Sequence, residues 1–233
     1  MKQLFSVGLV NNILRFLSIQ KKEKMSTTLY PEIHQYLQNA EKDFDKIPAD
    51  RKIELKKIAT HIREKLNVDK NVSLIYICTH NSRRSHMGQL WAMAAAAYYN
   101  IPGVLGYSGG TEVTAFNANA IKAVEEAGFK VSKIADSTNP HYDVYYSASA
   151  SPVVAFSKKY TDAINPHNNF IAIMTCSHAD ENCPLVTGAS LRAATPYEDP
   201  KEADGKFNQE QVYNERCRQI ATEVLYTFSL VSE

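Results

Sequence analysis

The octet Cys78-Thr79-His80-Asn81-Ser82-Arg83-Arg84-Ser85 stands between an apolar, β-branched run over residues 72–77 and an alanine-rich stretch over residues 86–99. The first run has the length and composition of a buried strand and the second reads as a helix, so the octet is a strand-to-helix turn. Backbone N–H groups converge at such a helix N-terminus, where the positive end of the helix dipole adds to their preference for negative charge. A tetrahedral oxyanion fits there. The same field favours the thiolate form of a cysteine at the first position, and the planar fork of Arg84 suits two oxygens of one anion. Ser85 can donate a hydrogen bond to the sulfur. Spacing of Cys and Arg alone is a weak signal; after a strand, before a helix and followed by Ser, it points to a nucleophile in an oxyanion cradle.

Working outward, the rest of the chain alternates strands and helices. Residues 104–109 read as a second strand, 117–128 as a helix ended by Gly128, 170–174 as a buried strand, 191–195 as another strand and 210–230 as the last helix. That alternation predicts an α/β fold, three layers with a central parallel sheet covered on both faces and joined by right-handed crossovers. Ligands of such sheets bind at the carboxyl ends of the strands. Cys78, Cys176, Cys183 and Asp199 all fall just after predicted strands. Two short runs at 142–147 and 152–157 suggest an extra hairpin, which either walls the pocket, packs in the core or covers an edge.

The octet resembles the loop of the low-molecular-weight tyrosine phosphatase superfamily: Cys, five residues, Arg, then Ser or Thr, after the first strand. The segment from Cys176 to Pro184, with Cys183 as its second thiol, looks like the redox segment of that superfamily's thioredoxin-coupled arsenate reductases, which its phosphatases lack. Asp199-Pro200 matches the family's general acid, carried on a loop before the last helix. The resemblance covers about residues 71–233. It implies a cysteine relay: Cys78 attacks arsenate held by the loop amides and Arg84, Asp199 protonates the departing oxygen, Cys176 attacks Cys78, and Cys183 then attacks Cys176. A thioredoxin-like protein would reduce the last disulfide, and no metal or organic cofactor is implied. The runner-up is a phosphatase for phosphotyrosine or small phosphate esters, needing only Cys78, Arg84 and Asp199. A loop that holds an anion without turnover is a third reading.

Thr79, His80, Asn81, Ser82 and Arg83 are the remaining candidates for holding the oxyanion. The family usually has Gly where His80 stands, and His restricts the backbone relative to Gly. It usually has Cys where Arg83 stands; the added charge either favours an anion or faces solvent. In some arsenate reductases a potassium site uses the loop Asn and a Glu on the next helix, positions held here by Asn81 and Gln89. Cys176, His178 and Cys183 also have metal-ligand chemistry, but six residues separate the two cysteines and structural zinc sites usually pair ligands two to four residues apart with a fourth ligand. Cys217, flanked by Arg216 and Arg218 in a helical pattern, reads as a bystander, and His34, His61 and His86 as packed or solvated residues.

The chain has 233 residues, 44% of them hydrophobic, enough for one domain and an appendage. Four cysteines make no secreted disulfide framework, and exchangeable thiols need a reducing cytoplasm to be recycled. A net charge of +1 gives no reason to expect nucleic-acid binding. Residues 1–70 carry fourteen Lys or Arg against nine Asp or Glu, leaving the catalytic part acidic, an asymmetry compatible with docking of one on the other. Residues 25–70 show apolar stripes at helical spacing, Ile33, Leu37, Ala40, Phe44 and then Leu55, Ile58, Ala59, Ile62, Leu66, with Pro48 between. This predicts a helical hairpin appended to a catalytic domain over 71–233. Residues 1–24 are expected to be loosely ordered. Their apolar stretch is broken by Asn11, Asn12 and Arg15 and falls short of the roughly 20 residues of a membrane span. They also lack a convincing signal-peptide cleavage site. Val10, Ile13, Leu14 and Leu17 suit a short amphipathic helix, or translation starts at Met25.

Overall fold

A computed structural model of the chain describes residues 27–182 and 185–233. The expectations for residues 1–24, the start at Met25 and Cys183 lie outside the described residues. Helices α1 (Pro31–Glu41) and α2 (Ala49–Asp69) come first, joined through a 3-10 turn at Phe44–Lys46. Pro31 sits in the first turn of α1 and Pro48 precedes α2, where a missing N–H costs nothing. Strand β1 (Val72–Cys78) follows, then α3 (Arg84–Tyr98), β2 (Val104–Gly110) and α4 (Ala118–Glu126). Three short strands, β3 (Lys130–Lys133), β4 (Tyr142–Tyr145) and β5 (Val153–Ala155), lead to β6 (Phe170–Met174), α5 (Ser177–Asn182), β7 (Ala189–Ala194), a 3-10 turn at Pro200–Ala203 and α6 (Gln209–Ser232).

The main sheet is wholly parallel, in the order β2-β1-β6-β7, so β1 is hydrogen-bonded on both sides. Side chains of a strand alternate between faces. Leu74 and Tyr76 accordingly join the large core built by α1, α2, α3, α4 and α6, while Ile75, Ile77 and Cys78 join a smaller cluster with Phe170, Met174, Cys176, Ala179 and Val186 on the other face. A strand buried on both sides needs a nearly continuous apolar sequence, which is why residues 72–77, interrupted only by the half-buried Ser73, show no alternation. The second layer is thin: α5 and the chain around Tyr160 and Val186 supply it.

The predicted hairpin forms as β4 against β5, and the sequence analysis missed its third member, β3, which pairs with β4 in a separate antiparallel sheet. Residues 130–133 are polar and exposed on most positions, so no apolar periodicity marked them. Asn117 caps α4, its side chain accepting from the N–H groups of Asn119 and Ala120. Gly88 lies where α3 crosses β1; a Cβ there would come within 2.3 Å of the Tyr76 ring, so the helix approaches the sheet as closely as it does only because that position is Gly.

Helices α1 and α2 share the large core with α3 and α6, through the fully buried Ile33, Leu37, Ala40 and Ile62. Charge plays a balanced part in this docking. Asp43 of the head pairs with Arg218 of α6 at 2.7 Å, and Arg51 of the head pairs with Glu223 of α6 at 3.4 Å. One pair runs in each direction, so burial of apolar surface rather than the net charge asymmetry holds the head in place. Leu37→Ala is expected to lower the stability of the whole chain by about 2–5 kcal/mol, as large-to-small changes in a packed core do. Urea unfolding followed by the far-ultraviolet signal and by Trp91 fluorescence would check it; Trp91 stacks on Tyr36 of α1 at 5.0 Å, so both signals should shift together.

Candidate active site

Cys78 is the last residue of β1 and Arg84 the first of α3, so the turn between them occupies residues 79–83. The carbonyls of this turn are satisfied from outside it. Thr111 N–H donates to the carbonyl of Cys78 at 3.2 Å and Glu112 N–H to that of Thr79 at 2.8 Å. The His80 carbonyl accepts from the hydroxyls of Thr114 at 3.1 Å and Ser157 at 2.9 Å, and that of Ser82 accepts from Asn117 N–H at 2.9 Å. Because C=O and N–H of a planar trans peptide point in opposite directions, carbonyls turned outward leave the amides facing inward. Helix α3 has no side-chain cap at its N-terminus. Inward amides at an uncapped helix start form a concave site for an anion.

His80 does not strain this turn. The positive φ falls one residue later, on Asn81 at 44°, a residue type that tolerates the left-handed region far better than most. The His80 ring instead lies 3.3 Å from Glu112 at the surface. Asn81 is fully buried and locks the turn in two directions. Its Nδ2 donates to Ser85 Oγ at 2.8 Å, and its Oδ1 accepts from the Lys158 N–H at 2.9 Å. Since Ser85 Oγ accepts from Asn81, its own proton is free to point at Cys78 Sγ, 3.1 Å away. Ser82 Oγ donates to the Ala115 carbonyl at 2.7 Å, so it serves the turn's outer side.

Arg84 is 8% exposed, with one Nη donating to the Tyr197 carbonyl at 2.7 Å and the other to Asp199 Oδ2 at 2.5 Å. Its Nε is buried without a partner among the described residues. The turn thus brings Cys78, Arg84, Ser85 and Asp199 together. Cys176 joins them from β6: its thiol lies 3.5 Å from Thr79 Oγ1, whose hydroxyl is also 3.2 Å from His178 Nδ1. The sulfur of Cys176 accepts from Ala179 N–H at 3.3 Å and so caps α5. Residues 177–182 form a single short helix, held by Arg192, whose Nη donates to the Asp180 carbonyl at 2.7 Å. The Arg83 side chain is mostly buried, its guanidinium contacting Tyr213 and Asp204.

Two supporting residues and one link escaped the sequence analysis. Ser157 and Lys158, just after β5, brace the turn at His80 and Asn81, and Thr79 links the turn to the Cys176 segment. All are long-range contacts with no local signature, although the hairpin that carries Ser157 was seen. Gln89, which holds the helix position discussed for potassium, donates to the Gly106 carbonyl at 3.1 Å. Cys217 is fully buried, accepts from Trp91 Nε1 at 3.3 Å, and burial pushes its thiol up to about 12, so it stays protonated and apart from the other thiols.

Beneath the turn lies a buried basic pair. Lys158 is 3% exposed and burial pushes its ammonium down to about 8. His86 is fully buried, stacked on Phe116 at 4.1 Å, with Nδ1 3.2 Å from Ser108 Oγ. Burial, reinforced by the Lys158 charge, holds the His86 ring well below the usual imidazole range. The folded state therefore keeps His86 neutral while the unfolded chain protonates it, so stability present above the unfolded imidazole value of about 6.5 is lost as pH falls below it. The His86 contribution is expected to fall by up to about 1.4 kcal/mol per pH unit below that point. Urea midpoints at pH 7 and 5.5 should show a smaller loss for His86→Gln than for the unaltered protein; equal losses would contradict a neutral buried ring.

No family model matches the chain. It is 26% identical over 165 residues to the arsenate reductase of Bacillus licheniformis, covering 69% of this chain and 97% of that protein. It is 29% identical over 163 residues to an arsenate reductase of Bacillus cereus, covering 69% and 96%. With the Bacillus subtilis arsenate reductase it shares 27% over 148 residues, covering 64% and 88%. Among solved structures, a low-molecular-weight phosphotyrosine phosphatase from Vibrio cholerae aligns with a TM-score of 0.46 at 14% identity, covering 67% of this chain and 94% of that one. A thioredoxin-dependent arsenate reductase from Corynebacterium glutamicum aligns with a TM-score of 0.35 at 18% identity, covering 93% and 94%. No helix among the described residues is long and apolar enough to cross a membrane. By sequence, the chain is a homologue of bacterial arsenate reductases over nearly the whole length of those proteins.

Proposed function

We propose that the protein is a thioredoxin-coupled arsenate reductase working in a reducing cytoplasm. The observation that carries this reading is the meeting of two thiol-bearing elements at one turn: Cys176 lies 3.5 Å from Thr79, the residue that follows Cys78. A phosphatase has no use for that second thiol. The similarity to arsenate reductases supports the same choice.

The geometry supports the following chemistry. Arsenate enters the concave turn, its oxygens taking the inward amides and the Arg84 guanidinium, including the buried Nε that none of the described residues satisfies. The Cys78 thiolate, stabilised by the Ser85 hydroxyl, attacks arsenic, and Asp199 protonates the oxygen that leaves as water. The Cys176 thiolate then attacks the Cys78 sulfur. An S–S bond forms, the S–As bond breaks, and its electron pair stays on arsenic, which leaves as arsenite. Two electrons have moved from two thiols to one arsenic. Cys183 attacks Cys176 and expels the Cys78 thiolate, and a thioredoxin-like dithiol reduces the Cys176–Cys183 disulfide. For Cys176 to reach Cys78 and then Cys183, the short helix α5 has to open, breaking its cap on the Cys176 sulfur and the hold of Arg192 on Asp180.

Two substitution experiments test this reading. Cys78→Ser is expected to abolish turnover of arsenate with thioredoxin and thioredoxin reductase, and any aryl-phosphate hydrolysis, while inorganic phosphate still binds. A serine hydroxyl is barely ionised at neutral pH, so retention of more than about a hundredth of the activity would remove Cys78 as the nucleophile.

The distal cysteines separate the reductase from the phosphatase. Cys183→Ser should complete one turnover and stop with Cys78 joined to Cys176, whereas Cys176→Ser should stop before any disulfide forms. Peptide mapping after one exposure to arsenate reads both outcomes. Aryl-phosphate hydrolysis, whose second step needs water and no thiol, should survive both changes. If both variants reduce arsenate with thioredoxin as fast as the unaltered protein, the relay is wrong and the phosphatase reading replaces it.

A further inference from the structure

Arg83 stands where the resemblance offers a cysteine, and its side chain is held by Tyr213 and Asp204, the latter also reached by Asn119 Nδ2. Nε donates to Tyr213 Oη at 2.7 Å, one Nη donates to Asp204 Oδ2 at 3.1 Å, and the Tyr213 hydroxyl donates to Asp204 Oδ1 at 2.7 Å. Each donor in this ring has its own acceptor. The Arg83 side chain is 11% exposed, while Asp204 is 35% exposed and reaches it from the surface.

The neighbouring arginine holds the other end of the same segment. Arg84 binds the Tyr197 carbonyl and Asp199, and only the 3-10 turn Pro200–Ala203 separates Asp199 from Asp204. That turn is stiff at both ends: Asp199 Oδ1 accepts from Lys201 N–H at 3.1 Å, and Asp204 N–H donates to the Lys201 carbonyl at 2.9 Å. Consecutive residues at the start of α3 therefore grip the segment 197–204 at two points. Arg84 is fixed by its place at the helix start, so the position of Asp199 depends on where the far end of the turn is anchored.

We propose that Arg83 is a positioning residue for Asp199: by clamping Asp204 and Tyr213 it fixes the turn that presents the Asp199 carboxyl beside Arg84. It does so in place of binding the oxyanion. The inference rests on the reading of Asp199 as the proton donor, and the test separates the two.

The experiment compares the full-length protein, Arg83→Met, Asp199→Asn and the double variant in arsenate turnover with thioredoxin and its reductase. Protection of Cys78 from iodoacetamide by inorganic phosphate is measured alongside, as a binding readout independent of turnover. If Arg83 acts through Asp199, Arg83→Met should slow turnover about tenfold in the unaltered background and less than about twofold when Asp199 is already Asn, because coupled residues are not additive. The phosphate concentration giving half-protection should move by less than about threefold, since an anion ligand would cost more. Asp204→Asn and Tyr213→Phe should show the same dependence on Asp199, and they decide the matter if Arg83→Met does not fold.

An equal loss from these variants in both backgrounds overturns the inference while leaving the proton-donor reading intact. Loss of phosphate protection in Arg83→Met overturns it in favour of direct anion binding. An Asp199→Asn variant as active as the unaltered protein removes the proton donor itself, and the inference falls with it.

Discussion

A parallel strand hydrogen-bonded on both sides cannot move, and this rigidity is what the site depends on. Strand β1 is paired to β2 and β6 and packed on both faces, so its last residue, Cys78, is fixed in direction and depth. The chain must then reverse into α3, whose close approach to Tyr76 is set by Gly88. A turn held between those two fixed ends has few shapes open to it. Its carbonyls find partners on the outer side, at residues 111–117 and at Ser157, and the amides are left for the inner side. The cradle is therefore a by-product of satisfying the carbonyls, as buried backbone must be.

The chemistry proposed for the site draws on side chains delivered by separate strands to that one end of the sheet. Asp199 follows β7 and Cys176 follows β6, and they meet the Cys78 turn and the start of α3 through Arg84 in one case and Thr79 in the other. The cap that the Cys176 sulfur places on α5 holds the thiol in wait, and six residues of helix, too few to be stable alone, open at small cost. By contrast, Asn81, which has no chemical step assigned to it, is buried and bonded in both directions.

The N-terminal helices belong to the same core as the catalytic elements. Tyr36 and Trp91 stack across the junction, and Arg218 reaches both Asp43 and the Tyr36 carbonyl. Helix α6 is the common partner: it packs on α1, α2, α3 and α4 and also carries Tyr213, a member of the Arg83 ring. The head bears on the site through that shared helix and also directly, since Arg51 of α2 donates to the Pro196 carbonyl at 2.7 Å and lies over the Tyr197 ring, in the segment leading to Asp199.

The local grammar of the chain was legible without coordinates. The nearly continuous apolar run of β1, the helix after it, the two amphipathic stripes of the head and the buried run of β6 all follow from residues within a few positions of one another, and so does the placement of Cys78 and Arg84 in a strand-to-helix turn. Side-chain partners were not legible, because they join residues far apart in sequence whose proximity only the closed sheet creates. Thr79 meets Cys176 across 97 positions, Asn81 meets Lys158 across 77, and Arg83 meets Tyr213 across 130. The sequence left Arg83 either favouring an anion or facing solvent; tertiary packing gave it two partners, Tyr213 and Asp204. Residues 130–133 were missed for a related reason: a short, exposed strand is made by its neighbour in the sheet and leaves no pattern of its own.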